Sequence, residues 1–565
     1  MNPNCNKVVV QNFVRLVVQA SLLLFAFIFV ASYLCSSVGR LASAQTPTSN
    51  ATSNVTSVTS PESEIPSNVF AIRVVDAETK RGVPLVHLKT IHHLQYVTDN
   101  LGWVAIDDVD LLDRSVFFTI ESPGYAFAKD GFGFPGTRLD CTPGESATLE
   151  IKRIQPAERM YRSTGVAKYV HSHKLNLLND HSALAPSSEN PSIGCDSVLT
   201  ATLGDKLYWF WGDTSQLHYP IGGSFHMSGA TTLVPDAQGS IRGIGLDQAP
   251  PDFSHWVDKE DRSKPMARMP GEGPSWLLSL ATIRDQAQPS SDSLFAPYVK
   301  IKEGLQAYRW GFAKWNSQTE SFEHLVDWDR SPDLFPQSQA HVIEYVEKET
   351  KYLAFCSPIP DVRVLATAQA FIEPSQYEGY TCLQDGTKFS DRKLDRDAQG
   401  KLVYRWRRAT RPLSQQEERQ LVEEKLMAPE ERLRRIIDID SGKEVTMHNG
   451  SVAWNPSRNR WCMVFTQIQG DDSMLGNIYY SESIGDAVGP WRKAKLIARH
   501  PNYSFYNPKL HPEFFQENGR VVFFEGTYTH TFSGNTAPTP RYDYNQLIYR
   551  LNLESQSWLA ALSAE

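Results

Sequence analysis

Apolar and polar positions alternate in short runs along most of this chain, and Gly, Asn, Asp or Pro interrupts them every few residues. A period of two predicts strands joined by tight turns. Val69-Phe70-Ala71-Ile72-Arg73-Val74-Val75 reads as one strand and Asp76 to Gly82 as a turn. Val83 to Leu88 reads as an edge strand, because Pro84 has no N–H to offer a ladder. Thr98-Asp99-Asn100-Leu101-Gly102 is a second turn. Val116 to Ile120 and Ala147 to Ile151 complete a small sheet set that ends near Arg153.

From Gly194 onward a larger unit recurs: a strand that begins with small residues, a turn, then an aromatic-rich strand. It occurs at Ser197 to Trp211 and at Ser275 to Leu278 with Gln306 to Phe312. It returns at Ala340 to Phe355, at Gly450 to Phe465, and at Pro508 to Glu525. Five such units predict five blades of a β-propeller; stacked sandwiches are the alternative, and the aromatic second strands favour blades. One segment breaks the pattern. Asp385 to Val445 is densely charged, and Ser414 to Arg435 is helical in composition. Ser414 and Glu417 form a capping box and Pro429 splits the helix. The segment reads as a solvated, separable insertion. The fold class is therefore all-β, a β-sandwich followed by a five-bladed propeller with a helical insertion. The boundaries expected are a signal over 1–44, a linker over 45–67, the sandwich over 68–153, a connector over 154–190 and the propeller over 191–555, interrupted at 385–447.

Composition narrows the class. A chain of 565 residues that is 41% hydrophobic can bury a sizeable core in more than one domain. A net charge of -8, with no long Lys/Arg block, argues against nucleic acid as a partner. Lys7 and Arg15 precede an apolar run from Val17 to Leu34, and Ala42-Ser43-Ala44 offers a cleavage site. The expectation is a secreted or periplasmic protein that meets a membrane only if the signal stays uncleaved. The linker is rich in Ser and Thr and carries sequons at Asn50 and Asn54. Cys5 and Cys35 leave with the signal. Cys141, Cys195, Cys356, Cys382 and Cys462 are odd in number and scattered, which suits buried thiols better than a disulfide framework or a zinc site.

The candidate chemistry centres on Asp196 and Asp213, one just before and one just after the first hairpin of the propeller. They should lie at the same end of it, and two rigidly held carboxylates are what glycosidic-bond hydrolysis needs. Asp after Gly is equally a turn former that bonds its own backbone. Polar residues near other strand starts are Glu272, Glu344, Glu373, Glu378, His448, Asn449, His511, Glu525, Tyr528 and Arg541. Trp211, Trp276, Trp454 and Tyr506 could stack on sugar rings, or simply pack between blades. Gly131 to Gly136 matches G-x-G-x-x-G, but no helix follows to hold a pyrophosphate. There is no G-x-S-x-G elbow, Walker box or H-E-x-x-H helix.

Two resemblances follow from these residues. Val75 to Pro84 and Thr98 to Gly102 resemble the turn signatures of carboxypeptidase regulatory-like modules, which implies a β-sandwich with an accessory or spacer role. Gly194 to Val198, the box Leu207-Tyr208-Trp209-Phe210-Trp211-Gly212-Asp213-Thr214 and His448 to Pro456 resemble exported planctomycete propeller proteins of unassigned function. These are related to the arabinanase-like, five-bladed glycoside hydrolases. The likeness implies a secreted hydrolase that acts on a polysaccharide or oligosaccharide, with Asp196, Asp213 and Glu272 catalytic. Trp211, Trp276, His448, Asn449, Trp454, Tyr506, His511, Glu525 and Arg541 are then expected to bind substrate. It admits a calcium ion in the central channel, for which the sequence shows no ligand loop; no cofactor is required. The alternative is a non-catalytic propeller that binds glycan or protein.

Overall fold

The computed structural model describes residues 65–178, 194–216, 219–224, 226–284, 292–336, 341–470, 473–541 and 543–563. The expected signal over 1–44, nearly all of the expected linker and both sequons lie outside them. Among the described residues no helix is long and apolar enough to cross a membrane.

The first unit is a sandwich. One sheet joins Phe70–Asp76 to Trp103–Ile106, Ser146–Arg153 and Tyr125–Ala126; the other joins His87–Thr90 to Gln95–Val97, Ser115–Glu121 and Gly136–Asp140. Their inward residues form one core that includes Ile72, Val74, Val86, Leu88, Val104 and Phe118. The alternating pattern that predicted strands is thus the pattern of inward and outward faces. The strand expected over Val83 to Leu88 begins only at His87, and it is an inner strand of its sheet. Pro84 lies ahead of it in irregular chain, so its missing N–H disrupts no ladder.

Five antiparallel meanders follow. They begin with Val198–Leu203, Ser275–Leu277, Val342–Glu347, Met447–Asn455 and Ser504–Leu510, and in each sheet the opening strand lies at an edge. Five apolar clusters join consecutive sheets. Phe210 packs with Tyr298 and Trp315, Phe312 with Phe355, and Ala354 with Met463. Val464 packs with Phe524, and Phe523 with Trp209. The fifth sheet packs on the first, so the ring closes: this is a five-bladed β-propeller. Fully burying a side chain such as Phe210 is worth roughly 1.5–3 kcal/mol, and each seam contains a dozen or so such residues. In blade two the second strand is Ser293–Lys302, and Gln306–Asn316 is the third, one place later than the repeat pattern implied.

Two expectations are corrected. The connector over 154–190 contains the strand Glu158–Arg162, which pairs with Asn545–Asn552 and completes blade five. It also carries the joint to the sandwich. Arg159 is fully buried and donates to the carbonyls of Pro84 and Pro123 and to Ser122 Oγ. Asn100 exchanges two hydrogen bonds with the Arg162 backbone, both 3.0 Å. The insertion, in turn, is part of the blades. Its strand Arg405–Arg408 extends blade three, and Ile437–Asp438 pairs parallel with Gly489–Arg499 in blade four. The helix is shorter than expected, Gln415–Glu423. The Ser414/Glu417 capping box is present, and Pro429 opens a separate turn. Cys141, Cys195, Cys356, Cys382 and Cys462 are buried free thiols, as expected.

Candidate active site

The hairpin Val198–Leu203/Lys206–Trp211 pairs in unbroken register from Val198↔Trp211 to Leu203↔Lys206. Gly204 takes a φ of 64° in the turn, a conformation glycine adopts without cost. That register brings the flanking acids together. Asp196 N–H donates to Asp213 O at 3.1 Å, and Gly212 N–H donates to Asp196 O at 2.8 Å. Asp213 N–H donates to Asp196 Oδ1 at 3.0 Å. Gly212 is required for this approach, because a Cβ there would stand 1.9 Å from Asp196 Oδ1.

Other blades complete the surroundings. Tyr506, on the opening strand of blade five, donates its hydroxyl to Asp196 Oδ2 at 3.1 Å. Trp276, on the opening strand of blade two, donates Nε1–H to Asp213 Oδ1 at 3.0 Å. Ser197 sits at a φ of 42°, costly for a residue with a Cβ. It is held there by Thr527 Oγ1, which accepts its N–H at 2.9 Å, and by Asn507 Nδ2, which donates to its Oγ at 2.7 Å. Asn449 Nδ2 in turn donates to Asn507 Oδ1 at 2.8 Å, tying blade four into the network.

Burial dominates the electrostatics. It pushes the Asp196 carboxyl well above the usual carboxylate range, and the neighbouring Asp213 charge pushes it further. Burial also raises Asp213, to about 6, against the opposing hydrogen bond from Trp276. The pair is therefore ordered: Asp213 ionises first, and Asp196 holds its proton longer. A proton on Asp196 Oδ2 reverses the bond to Tyr506, which has Tyr544 within side-chain hydrogen-bond reach. Both Asp196 oxygens are engaged, whereas Asp213 Oδ2 has no hydrogen-bond partner among the described residues. Asp213 is thus the carboxyl able to exchange a proton with a ligand near neutrality. His448, beside Asn449, is pushed down to about 4 by burial, so it is neutral, and its Nδ1 has no partner among the described residues.

Several expected site residues are elsewhere or otherwise employed. Trp211 is fully buried, with Phe253 and His255 at ring distances of 5.4 and 5.7 Å, and presents no face to a sugar. Tyr506 is 5% exposed and serves as a hydrogen-bond donor rather than a stacking platform. Trp454 lies against Trp461 near the far end of the strand Met447–Asn455, away from the end that carries Asn449. His511 and Glu525 are sealed in the interior, 3.0 Å apart, with Ser163 donating to Glu525 at 2.7 Å. Arg541 lines a small cavity with Asn100 and Arg162 at the sandwich joint. Glu272 is exposed on the turn from Gly271 to Gly273; the Tyr308 hydroxyl donates to its backbone carbonyl, and among the described residues no hydrogen bond or ion pair joins its carboxyl to the pair. Glu344 pairs with Lys351, Glu373 caps the turn at Ser375, Glu378 pairs with Arg363, and Tyr528 is buried. Sequence reasoning missed Ser197, Asn507, Thr527 and Tyr544. Only Asn507 carried a signal, since Asn tolerates the left-handed backbone seen at its φ of 50°. Among the described residues no group of three or more His, Cys, Asp or Glu side chains is placed to hold a metal ion.

No family model matches the chain, and no curated protein does. Solved structures similar to it include glycosidases. An exo-1,5-α-L-arabinanase from a bovine ruminal metagenomic library is 10% identical with a TM-score of 0.31, over 64% of this chain and 93% of its own. An α-L-arabinofuranosidase from Fusarium graminearum is 12% identical with a TM-score of 0.31, over 64% and 94%. An exo-β-1,3-galactanase from Phanerochaete chrysosporium is 9% identical with a TM-score of 0.30, over 64% and 60%. The propeller assignment rests on the sheet order and the five seams, not on these scores.

Proposed function

We propose that the protein is an exported glycoside hydrolase whose base is Asp213, with Asp196 as the buried positioning carboxyl behind it. The observation that carries this reading is the asymmetric acid pair, one carboxyl saturated by protein donors and the other half-open with a pKa of about 6. Above that pH Asp213 is the charged member and can activate water or attack the anomeric carbon. Trp276 fixes its orientation through Oδ1 and leaves Oδ2 for the reaction. The ligand class is a polysaccharide or oligosaccharide.

The test is release of reducing ends from a panel of arabinans, xylans, β-1,3-galactan and sulfated algal glycans. Wild type should turn over at least one, with kcat/KM rising as the pH passes about 6. Asp213→Asn should lose on the order of a hundredfold or more. Asp196→Asn mimics the protonated carboxyl and keeps the acceptor for Asp213 N–H, so it should lose less than about tenfold and keep the same pH limb. Binding without turnover in wild type would instead make the propeller a glycan-binding module. Turnover that survives Asp213→Asn would refute the assignment of the base.

A further inference from the structure

A second site lies on the seam between blades one and two, at the other end of the hairpin from the acid pair. The even positions of the strand Lys206–Trp211 face blade two, as Phe210 shows by packing on Trp315 and Phe322. Two residues earlier, Tyr208 meets Trp256 at 5.8 Å and Trp315 edge-on at 5.5 Å, and the two indoles are 5.3 Å apart. These three rings wall a cavity of about 210 Å³ whose polar lining includes Lys206, Ser254 and Glu320. Lys206, Ser254 and Glu320 are exposed, and Tyr208 and Trp256 are half-buried, so the cavity opens to solvent. Trp315 is 7% exposed, and its Nε1 has no hydrogen-bond partner among the described residues, an orphaned donor at the cavity wall. Burial pushes His255, another lining residue, down to about 3, so it adds no charge. Lys206 lies five residues before Trp211, which places the cavity roughly 17 Å along the strand from the acids.

We propose that this cavity is a carbohydrate-binding site separate from the acid pair, taking one neutral sugar ring of a longer glycan. The chemistry on the wall selects that ligand class. Aromatic faces suit the C–H faces of a sugar, and one cation, one anion and several hydroxyls suit neutral polyols over an anion or a cation. The volume lies below the roughly 300 Å³ at which pockets for larger ligands begin, so it fits a single ring. The proposal rests on the protein meeting a glycan and not on Asp213 being catalytic. A second hold of this kind keeps a long chain on the protein between encounters with the acid pair.

The experiment is native electrophoresis of the full chain through gels cast with arabinan, xylan or β-1,3-galactan. Wild type should be retarded by at least one polymer. Trp256→Ala should weaken that retardation by about tenfold or more, the scale of one lost ring contact. The double variant Lys206→Ala/Glu320→Ala should weaken it too; both side chains are exposed, so this variant keeps the proposal testable if Trp256→Ala unfolds. Asp213→Asn should be retarded as wild type is, which separates this site from the reaction. Wild type that runs unretarded in all three gels, or a double variant retarded as strongly as wild type, would overturn the proposal.

Discussion

Asp213 makes the residue scale measurable. Its carboxyl ionises near 3.8 when unfolded and at about 6 in the fold. The folded chain therefore binds the extra proton between those values, and stability falls as the pH rises through 6. The gap is about two pH units, worth up to roughly 3 kcal/mol. Asp213→Asn carries no charge and keeps an acceptor for Trp276. It should melt above wild type at pH 8, and the difference should shrink as the pH falls from 6 and vanish once it is below 3.8, as read by thermal unfolding across that range. A pH-independent difference would mean that Asp213 is not held against its ionisation. Gly212 makes a complementary prediction. In Gly212→Ala the new methyl group meets Asp196 Oδ1 at 1.9 Å, so the acid must move and the backbone bonds around it loosen. Overpacking of this kind costs on the order of 1–3 kcal/mol, and turnover should fall along with the melting temperature.

Among the elements, the charged insertion behaves least as its composition suggested. Its charge density promised a solvated decoration, yet several of its charges, Arg407, Glu418 and Arg432 among them, are buried. Glu418 is fully buried and accepts from the backbone N–H of Leu433 and Arg434. Arg434 reaches Asp361 in blade three, and Gln415 donates to Val445 O at the foot of blade four. Arg363, between Tyr352 and Trp406, ties the extension strand to its blade at 3.9 and 4.2 Å. Replacing 385–445 with a short Gly/Ser loop should therefore yield insoluble or poorly cooperative protein, because Asp361, Arg363 and the Met447 N–H lose Arg434, Trp406 and Gln415. Recovery of a soluble chain with one sharp melting transition would show that the blades stand alone. A milder probe is Ser414→Ala, which removes the cap bonded to Glu417 N–H and should cost about 1 kcal/mol in chemical denaturation.

The whole molecule depends on a closure that crosses most of the sequence. Glu158–Arg162 supplies the outer strand of blade five, and Ser163 reaches Glu525 across 362 positions. The same segment anchors the sandwich through Arg159, Asn100 and Arg81, the last donating to the carbonyls of Arg159 and Met160. The sandwich is therefore a fixed part of the assembly and not a spacer on a flexible tether. A truncation that begins at residue 191 removes both the closing strand and its anchor, and it should fail to give a cooperatively melting propeller. A truncation that begins at residue 154 keeps the strand but leaves Arg159 with no sandwich carbonyls to bind. It should fold with a lower melting temperature.

The local pattern carried what is local. Period-two alternation fixed the sandwich strands, because each face of a strand sees one environment. The Gly204 turn placed Asp196 and Asp213 at one end of a hairpin, because antiparallel register follows from turn position. Capping chemistry placed the start of Gln415–Glu423. What the alternation could not encode is which neighbour each outward face would meet. Trp211 and Trp276 look alike in sequence, yet one is sealed between Phe253 and His255 while the other reaches Asp213 from the next blade. His511 and Glu525 are polar residues on blade-five elements like Tyr506, but Trp209 covers His511 and Ser163 meets Glu525, while Tyr506 bonds Asp196. The asymmetry of the acid pair, the joint at Arg159 and the cavity at Tyr208 all arise from contacts between blades or between units. Such contacts are made by residues tens to hundreds of positions apart, and only the closed ring decides them.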